Sequence, residues 1–547
     1  MDRCMNLGHI HEAIAAAIPE RECIVHRERR LRFAEVTDRT RRLASLLRSH
    51  GLGCHRERHE LANHESGQDH VALYLYNGVE YLEGMLGAFK ARCVPVNVNY
   101  RYVDEELSYL LGDCRASAIV YHACFAATLA RLRDRLSGIR LWLQVADGSG
   151  EALLPGAIDY EAALAAAEPE PPQGLSSDDL YVLYTGGTTG MPKGVLWRQE
   201  DIYRAALGGQ KPRDSVEEIV TRSLQPALRA LPAPPFMHGA AHWAAFTFWN
   251  VGSTIVVQSE TRHLDPRDVW STVERERVNV LTIVGDAFGR PLLDELERRE
   301  YDLSSLTLVS SGGAILTAAL KQEFLRRIPQ LRILDALGSS ESGAQASQIS
   351  AAGRRASTGD FSLGSGNVVL REDLGGRLEP GSDETGWLAR EGVIPLGYLG
   401  DPEKTARTFP IVEGRRFAVP GDRARIEQDG SLRLLGRDSV TINTGGEKVF
   451  AEEVEQALKH HPAVFDAVVV GTPHERFGQQ VTALVRLREG ATATADELRE
   501  VARAHLAAYK LPRIVLFVAE IVRSPSGKAD YRWAKAAALE RTPASSS

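Results

Sequence analysis

Between Tyr184 and Gly194 the chain reads Tyr-Thr-Gly-Gly-Thr-Thr-Gly-Met-Pro-Lys-Gly, which combines four glycines and three threonine hydroxyls with Lys193. Glycine lets backbone N–H groups approach an anion closely, hydroxyls add donors and lysine adds charge. This combination suits the gripping of a polyphosphate. A Walker A loop ends in Gly-Lys-Ser/Thr so that the last hydroxyl meets magnesium. Here Pro192 precedes Lys193 and Gly194 follows it, which disfavours a P-loop NTPase.

Other short segments follow in order: Pro235-Phe236-Met237-His238-Gly239, Ser311-Gly312-Gly313-Ala314, Leu337-Gly338-Ser339-Ser340-Glu341, Gly421-Asp422, Gly436-Arg437, Gly445-Gly446-Glu447-Lys448 and Pro525-Ser526-Gly527-Lys528. Singly, an Asp after Gly or a Lys after Gly is ordinary surface decoration. Together, and over nearly the whole length, they resemble the adenylate-forming superfamily of acyl-CoA synthetases, luciferases and peptide-synthetase adenylation domains.

The resemblance implies that Thr185, Gly186, Gly187, Thr188, Thr189, Gly190 and Lys193 hold the ATP phosphates. It implies that His238 lines the acyl and nucleotide pocket and that Gly312, Gly313 and Ala314 form the adenine side. Gly338, Ser339 and Ser340 meet the nucleotide, the Ser340 hydroxyl at the α-phosphate, and Glu341 holds Mg2+. Asp422 accepts the ribose hydroxyls and Arg437 lies near the same sugar. Gly445, Gly446, Glu447 and Lys448 line a pantetheine tunnel for coenzyme A, and Lys528 is the adenylation lysine. Three departures stand out: Leu337 where the family has an adenine-stacking aromatic, Ser340 in place of threonine, and Ser439 where the hinge is commonly Asp or Lys.

These residues need elements to hold them. Leu31 to Gly51 has the period of an amphipathic helix stopped by glycine, Val71 to Tyr76 reads as a strand, Val79 to Cys93 as a helix and Val94 to Val98 as a strand. A helix from Asp104 to Leu111 and a strand from Ala118 to Tyr121 follow, so a largely parallel sheet covered by helices is expected. Gly51 to His70, with Cys54, His55, His59, His64 and His70, reads as a solvated loop without a metal. A Pro/Gly/Ser/Ala-rich connection spans 146–179, and the strand Leu180 to Tyr184 leads into the glycine loop. Strands at Thr254 to Val257, Val280 to Val284 and Leu306 to Val309 continue the α/β pattern. After about residue 435 come a helix at Ala451 to Lys459, strands at Val464 to Gly471 and Val481 to Leu487, a helix at Ala495 to Leu506 and a strand at Ile514 to Phe517. The fold expected is α/β: a large N-terminal ATP- and acyl-binding domain of layered mixed sheets and helices over 1–436, a hinge at 437–439 and a small, mobile α+β lid over 440–547.

The 547 residues carry 65 Lys and Arg against 72 Asp and Glu, a net charge of −7 without a long basic run, which argues against nucleic acid as a partner. The six cysteines fall between Cys4 and Cys124 with no Cys-x-x-Cys pair, as free thiols of a cytoplasmic protein would. The N-terminus has Asp2, Glu12 and Glu20 and no continuous apolar run, so no export signal is expected. From Ala230 to Ser259 only His238 and His242 can carry charge, but Pro232, Pro234, Pro235, Gly239, Asn250 and Gly252 interrupt the stretch. It reads as core or pocket wall rather than a transmembrane segment.

The resemblance thus implies an acid-thiol ligase that uses ATP, Mg2+ and coenzyme A on a carboxylic acid. The wording of TGGTTGMPKGVLWRQ, VPVNVNYRYVDEEL and GRDSVTINTGGEKVF is similar to that of actinobacterial ligases for long-chain fatty or steroid side-chain acids. Two alternatives stand beside it: a ligase loading a carrier-protein phosphopantetheine, and a non-catalytic nucleotide-binding protein.

Overall fold

The computed structural model describes residues 4–185, 191–208, 214–353, 356–444, 447–474, 477–524 and 527–541. A first sheet sets His70–Tyr74 between Val94–Asn97 and Ala116–His122 and extends through Leu141–Val145 to Ile158–Asp159, all parallel. Its strands are apolar runs buried on both faces, as parallel strands covered by helices must be. The expected loop before it is half-buried to exposed along nearly all its length, but its last residue, His70, is buried in the strand and donates from Nδ1 to the Cys114 carbonyl at 2.5 Å. The helix expected from Leu31 starts at Phe33 instead. Arg29–Arg32 is drawn into an antiparallel pair with Glu22–His26, and Gly51, with φ +70°, follows the helix end.

A second, larger sheet begins parallel, with Glu22–His26, Thr254–Val257, Arg229–Pro232, Val280–Ile283, Leu308–Gly312 and Arg332–Ser339 as successive neighbours. It then turns antiparallel through Gly343–Ala351 and ends in short hairpins that include Asp422–Ile426 and Leu432–Arg437. The uncharged 230–259 stretch supplies two of these strands and the helix Gly239–Trp249 between them. No helix among the described residues is long and apolar enough to cross a membrane. A three-stranded antiparallel unit, Leu180–Thr185, Lys193–Arg198 and Gly397–Tyr398, joins the two sheets.

From Ile442 onward a separate five-stranded sheet forms around the long hairpin Val464–His474 and Gly478–Leu487, with Ile514–Phe517 added in parallel. Ala451–Leu458 and Ala495–Arg503 pack on one face, and Tyr531–Arg541 packs on the other. Thr494 accepts from the Glu497 N–H while Glu497 accepts from the Thr494 N–H, a capping box that fixes the start of the second helix.

Candidate active site

Four parallel strands end side by side: Pro232 is opposite Thr282, Ile283 opposite Ser311, and Gly312 opposite Ala336. Ligands of open parallel sheets bind beyond such carboxyl ends. The segments leaving them carry His238, Gly285, Gly313 and the turn Ser339–Gly343, so strand order alone gathers distant motifs. On the antiparallel side Asp422 is the register partner of Arg437, and its carboxylate accepts from Arg437 Nε at 3.1 Å.

The lid closes over this row. Gly527, with φ +74°, has its ideal Cβ position 3.0 Å from Ala287 Cβ and 3.2 Å from the Val284 carbonyl, so both conformation and space call for glycine. The next residue, Lys528, reaches Gly313: a Cβ there would lie 3.9 Å from Lys528 Cε. Lys528 keeps solvent-accessible surface inside a cleft that otherwise surrounds it. The surrounding protein and the Arg437 charge lower its pKa below the ordinary lysine range, and Glu341 and Asp422 pull the other way. Burial and the Lys528 charge bring His238 down to about 3, so its imidazole is neutral, and among the described residues its buried Nε2 has no hydrogen-bond partner.

Asparagines fix the His238 segment. Asn97 Nδ2 donates to the Tyr184 carbonyl at 2.8 Å and the Met237 carbonyl at 2.7 Å, while its Oδ1 accepts from Tyr184 N at 2.8 Å. Asn77 likewise accepts from Phe236 N at 2.5 Å and donates to the Pro234 carbonyl at 2.9 Å. Behind them His242 Nδ1 donates to the Phe236 carbonyl at 2.6 Å, which leaves Nε2 to accept from the Tyr181 hydroxyl. Trp243 Nε1 in turn donates to that hydroxyl at 2.8 Å.

Thr185 pairs with Lys193 across the hairpin. Burial alone would lower Lys193, but Tyr109, Asp113 and Asp401 more than reverse it, with Asp401 Oδ2 3.4 Å from Nζ. The edge strand beside it presents Tyr398, whose hydroxyl donates to Glu341 Oε1 at 2.9 Å, and Lys404 Nζ lies 4.2 Å from the centre of the Tyr398 ring. Trp197 Nε1 holds the Ser340 carbonyl at 2.8 Å, and the Ser339 and Ser342 hydroxyls are 2.9 Å apart.

The structure therefore brings together Lys528, His238, Glu341, Asp422, Arg437 and Gly313, with Gly312, Ala314, Gly338, Ser339 and Ser340 on the flanking strand ends. Gly186, Gly187, Thr188, Thr189, Gly190, Gly445 and Gly446, with Pro525 and Ser526, lie outside the described residues. Glu447 and Lys448 are exposed, and Lys448 Nζ bonds Glu372 Oε1 at 2.6 Å on the large domain rather than joining the cleft. Leu337, half-buried, packs on the cluster of Ala346, Phe361 and Leu388. Motif reading missed Tyr398, Asp401, Lys404, Trp197 and Asn97. The Asp-Pro pair at 401–402 is a readable helix start, and Asp401 does cap Pro402–Thr408, but nothing local ties it to Lys193.

The aromatics of 230–259 divide. Phe236, Phe246 and Trp249 are core. Ala240, Trp243, Ala244, Thr247 and Phe248 form a half-buried stripe along one side of Gly239–Trp249. A cavity of about 290 Å³ opens between domains beside Gly527, with Arg101, Arg262, Arg290, Arg486 and Arg523 in its wall.

A family model described as AMP-binding enzyme matches residues 11–389, and one described as AMP-binding enzyme C-terminal domain matches 453–528. The medium-chain acyl-CoA ligase Mig of Mycobacterium avium is 51% identical over 537 residues, covering 97% of this chain and 98% of that protein. The 3-oxocholest-4-en-26-oate–CoA ligase of Rhodococcus rhodochrous is 41% identical over 545 residues, covering 97% and 95%. Among solved structures, the anthranilate CoA ligase AuaEII in complex with anthranoyl-AMP superimposes with a TM-score of 0.84 at 22% identity, covering 99% of this chain and 98% of that one. ATP-bound MatB from Rhodopseudomonas palustris gives 0.80 at 23%, covering 98% and 99%. At those identities the two structures establish the fold.

Proposed function

We propose that this chain, which belongs to the AMP-binding enzyme family through both its large and its small domain, is an acyl-CoA ligase that uses ATP, Mg2+ and coenzyme A. The observation that carries the reading is the reach of Lys528, from the small domain, into the strand-end cleft beside Gly313, among the charges of Glu341, Asp422 and Arg437. A carboxylate is a poor acyl donor because its leaving group would be oxide. Its oxygen attacks the α-phosphorus of ATP, pyrophosphate leaves, and the acyl-adenylate then loses AMP when the CoA thiol attacks the acyl carbon. The first step crowds negative charge into one place. Lys528 and Lys193 stabilise it, Ser340 meets the α-phosphate, Asp422 holds the ribose and Arg437 is locked against Asp422 beside it.

Magnesium suits one carboxylate completed by substrate phosphates, and Glu341, oriented by Tyr398, is that carboxylate. When bound, the ion neutralises phosphate charge. Neutral His238, sealed on its Nε2 side, lines the pocket without adding charge near the incoming carboxylate.

The second step needs room for a long thiol, so Lys528 must withdraw. We assign the large domain to 1–436, the pivot to 437–439 and the lid to 440–547. The lid swing removes Lys528 and brings the 445–448 loop to the thiol. The arginine-walled cavity favours a phosphate-bearing acceptor such as CoA, free in a cytoplasm that supplies ATP, over the alternatives. The half-buried stripe of Gly239–Trp249 is the acyl wall, and with the Mycobacterium and Rhodococcus relatives it supports an apolar acid of medium chain or longer, steroid side-chain acids included.

The test is pyrophosphate release with a panel of fatty, aromatic and steroid acids, followed by CoA consumption. Release that needs an apolar acid, and CoA loss that needs that release, is the expected result. Release without acid, or none with any acid, rejects the reading.

A further inference from the structure

Arg390, in the strand Gly386–Glu391, is only 8% exposed, yet among the described residues no acidic side chain offsets it. Its Nη1 donates to three main-chain carbonyls, Ala344 at 2.7 Å, Ser342 at 2.8 Å and Ala205 at 3.3 Å, and its Nε is buried without a partner. A guanidinium buried without a counter-ion is costly, so its retention calls for a task.

The three carbonyls belong to two segments with different duties. Ser342 and Ala344 close the turn that carries Ser340 and Glu341. Ala205 lies in a π turn, Tyr203–Leu207, closed by the Gly208 N–H on the Tyr203 carbonyl at 2.7 Å. The wide turn leaves its carbonyls to side chains: Arg390 takes Ala205, Thr247 Oγ1 takes Ala206 at 3.5 Å and Asn250 Nδ2 takes Leu207 at 3.1 Å. Thr247 and Asn250 belong to the acyl-side helix and its end. Gly343, with φ +68°, lets the two turns meet, since a Cβ there would lie 2.9 Å from both Ala205 Cβ and the Ala205 carbonyl oxygen. From the other side Trp197 holds the Ser340 carbonyl.

We propose that Arg390 is a positioning residue for adenylate formation, which locks the Ser339–Gly343 turn, and so Ser340 and Glu341, against the π turn behind the acyl helix. The inference rests on the reading of Glu341 as the magnesium carboxylate. Arg390 touches no substrate in this scheme. Its loss lets the turn shift, which weakens the metal and α-phosphate contacts of the first half-reaction and leaves the second alone.

Arg390→Gln in the full chain is expected to cut acid-dependent pyrophosphate release about 10-fold or more, the scale of a catalytic group displaced by less than an ångström. The half-saturating Mg2+ concentration rises in parallel. Thioester formation from supplied acyl-adenylate and CoA stays within about 2-fold, because that step no longer needs the turn. Equal losses in both half-reactions, or an unchanged Mg2+ titration, overturn the proposal. Glu341→Gln run alongside separates the two ideas. A Mg2+ shift there with none in Arg390→Gln rejects Arg390 alone, whereas no shift in Glu341→Gln rejects the reading of Glu341 and the Arg390 role with it. If Arg390→Gln does not fold, Trp197→Phe frees the same turn from its other side. Selective loss of adenylation with a raised Mg2+ requirement then supports the proposal, and equal loss or none overturns it.

Discussion

At the scale of single residues, function divides according to which half-reaction needs each charge. Lys528 sits among Arg437, Glu341 and Asp422, and in the proposed scheme its ammonium serves the crowded first step only. Lys528→Ala is therefore expected to slow pyrophosphate release by roughly 10²-fold or more, the scale of losing one charge-stabilising donor. Thioester formation from supplied acyl-adenylate should hardly change, and equal damage to both steps, read in separate half-reaction assays, removes Lys528 from this role. Residues of this kind were legible in the sequence because glycines, lysines and acids in fixed short words announce a nucleotide. Tyr398, Trp197 and Asn97 were not. Each acts through hydrogen bonds to groups more than fifty positions away, and no local pattern marks an aromatic or an amide as the partner of a distant carboxylate or carbonyl.

At the scale of elements, the longer buried strands were readable, the antiparallel hairpin Val464–His474 and Gly478–Leu487 included, and the short strands at the end of the large domain were not. Val280–Ile283 is a short, fully buried, largely β-branched run close to where the apolar pattern puts it, because a fully covered strand must be apolar along its length, whereas Leu308–Gly312 alternates buried and half-buried residues and runs on into two serines and a glycine. From Asp360 to Arg437 the strands are short, too short for a period to show in the sequence. Beside one such strand, Glu372 ties the large domain to the C-terminal domain through an ion pair, from which a latch on the proposed lid swing is predicted. Glu372 accepts from Arg423 and from Lys448, and Arg423, stacked 3.8 Å from the Trp387 ring centre, also holds Asp438 in the segment assigned above as the pivot. The Lys448–Glu372 pair is largely solvent-exposed, so the latch is weak. Glu372→Gln should free the 447–449 strand at little cost, raising thioester formation relative to adenylation by about 2- to 5-fold, since an exposed pair contributes at most about 1 kcal/mol. Single-turnover rates of the two half-reactions give the ratio, and a ratio unchanged or shifted toward adenylation rules the latch out.

At the scale of the whole molecule, one buried carboxyl leads to the prediction that the pose of the C-terminal domain responds to pH. Glu452, on the lid helix Ala451–Leu458, lies against Gly436 and accepts from the Arg437 N–H at 3.4 Å, while its Oε2 is sealed without a hydrogen-bond partner. Burial, then the neighbouring charge of Glu455 and that of Asp422, push it from an ordinary 4.5 up to about 8, with Tyr531 of the last helix and Arg437 also facing it. A carboxyl raised in this way favours the pose that buries it while protonated. Its contribution is complete below about pH 4.5 and is lost as pH rises through about 8, where the charged form is repelled by Glu455 and Asp422. A lid swing that opens the seam at Gly436 returns Glu452 to water and releases the proton. The ratio of adenylation to thioester formation should then fall by up to about 10-fold between about pH 7 and 9, the shift that one such group supports across its titration. Lys528, itself lowered, adds an alkaline fall of its own, so the discriminating comparison is with Glu452→Gln, which keeps the acceptor for Arg437 and cannot ionise. In that variant the pH slope of the ratio should flatten to what Lys528 alone imposes. A wild-type slope retained in Glu452→Gln would show that the lid closes without regard to this carboxyl.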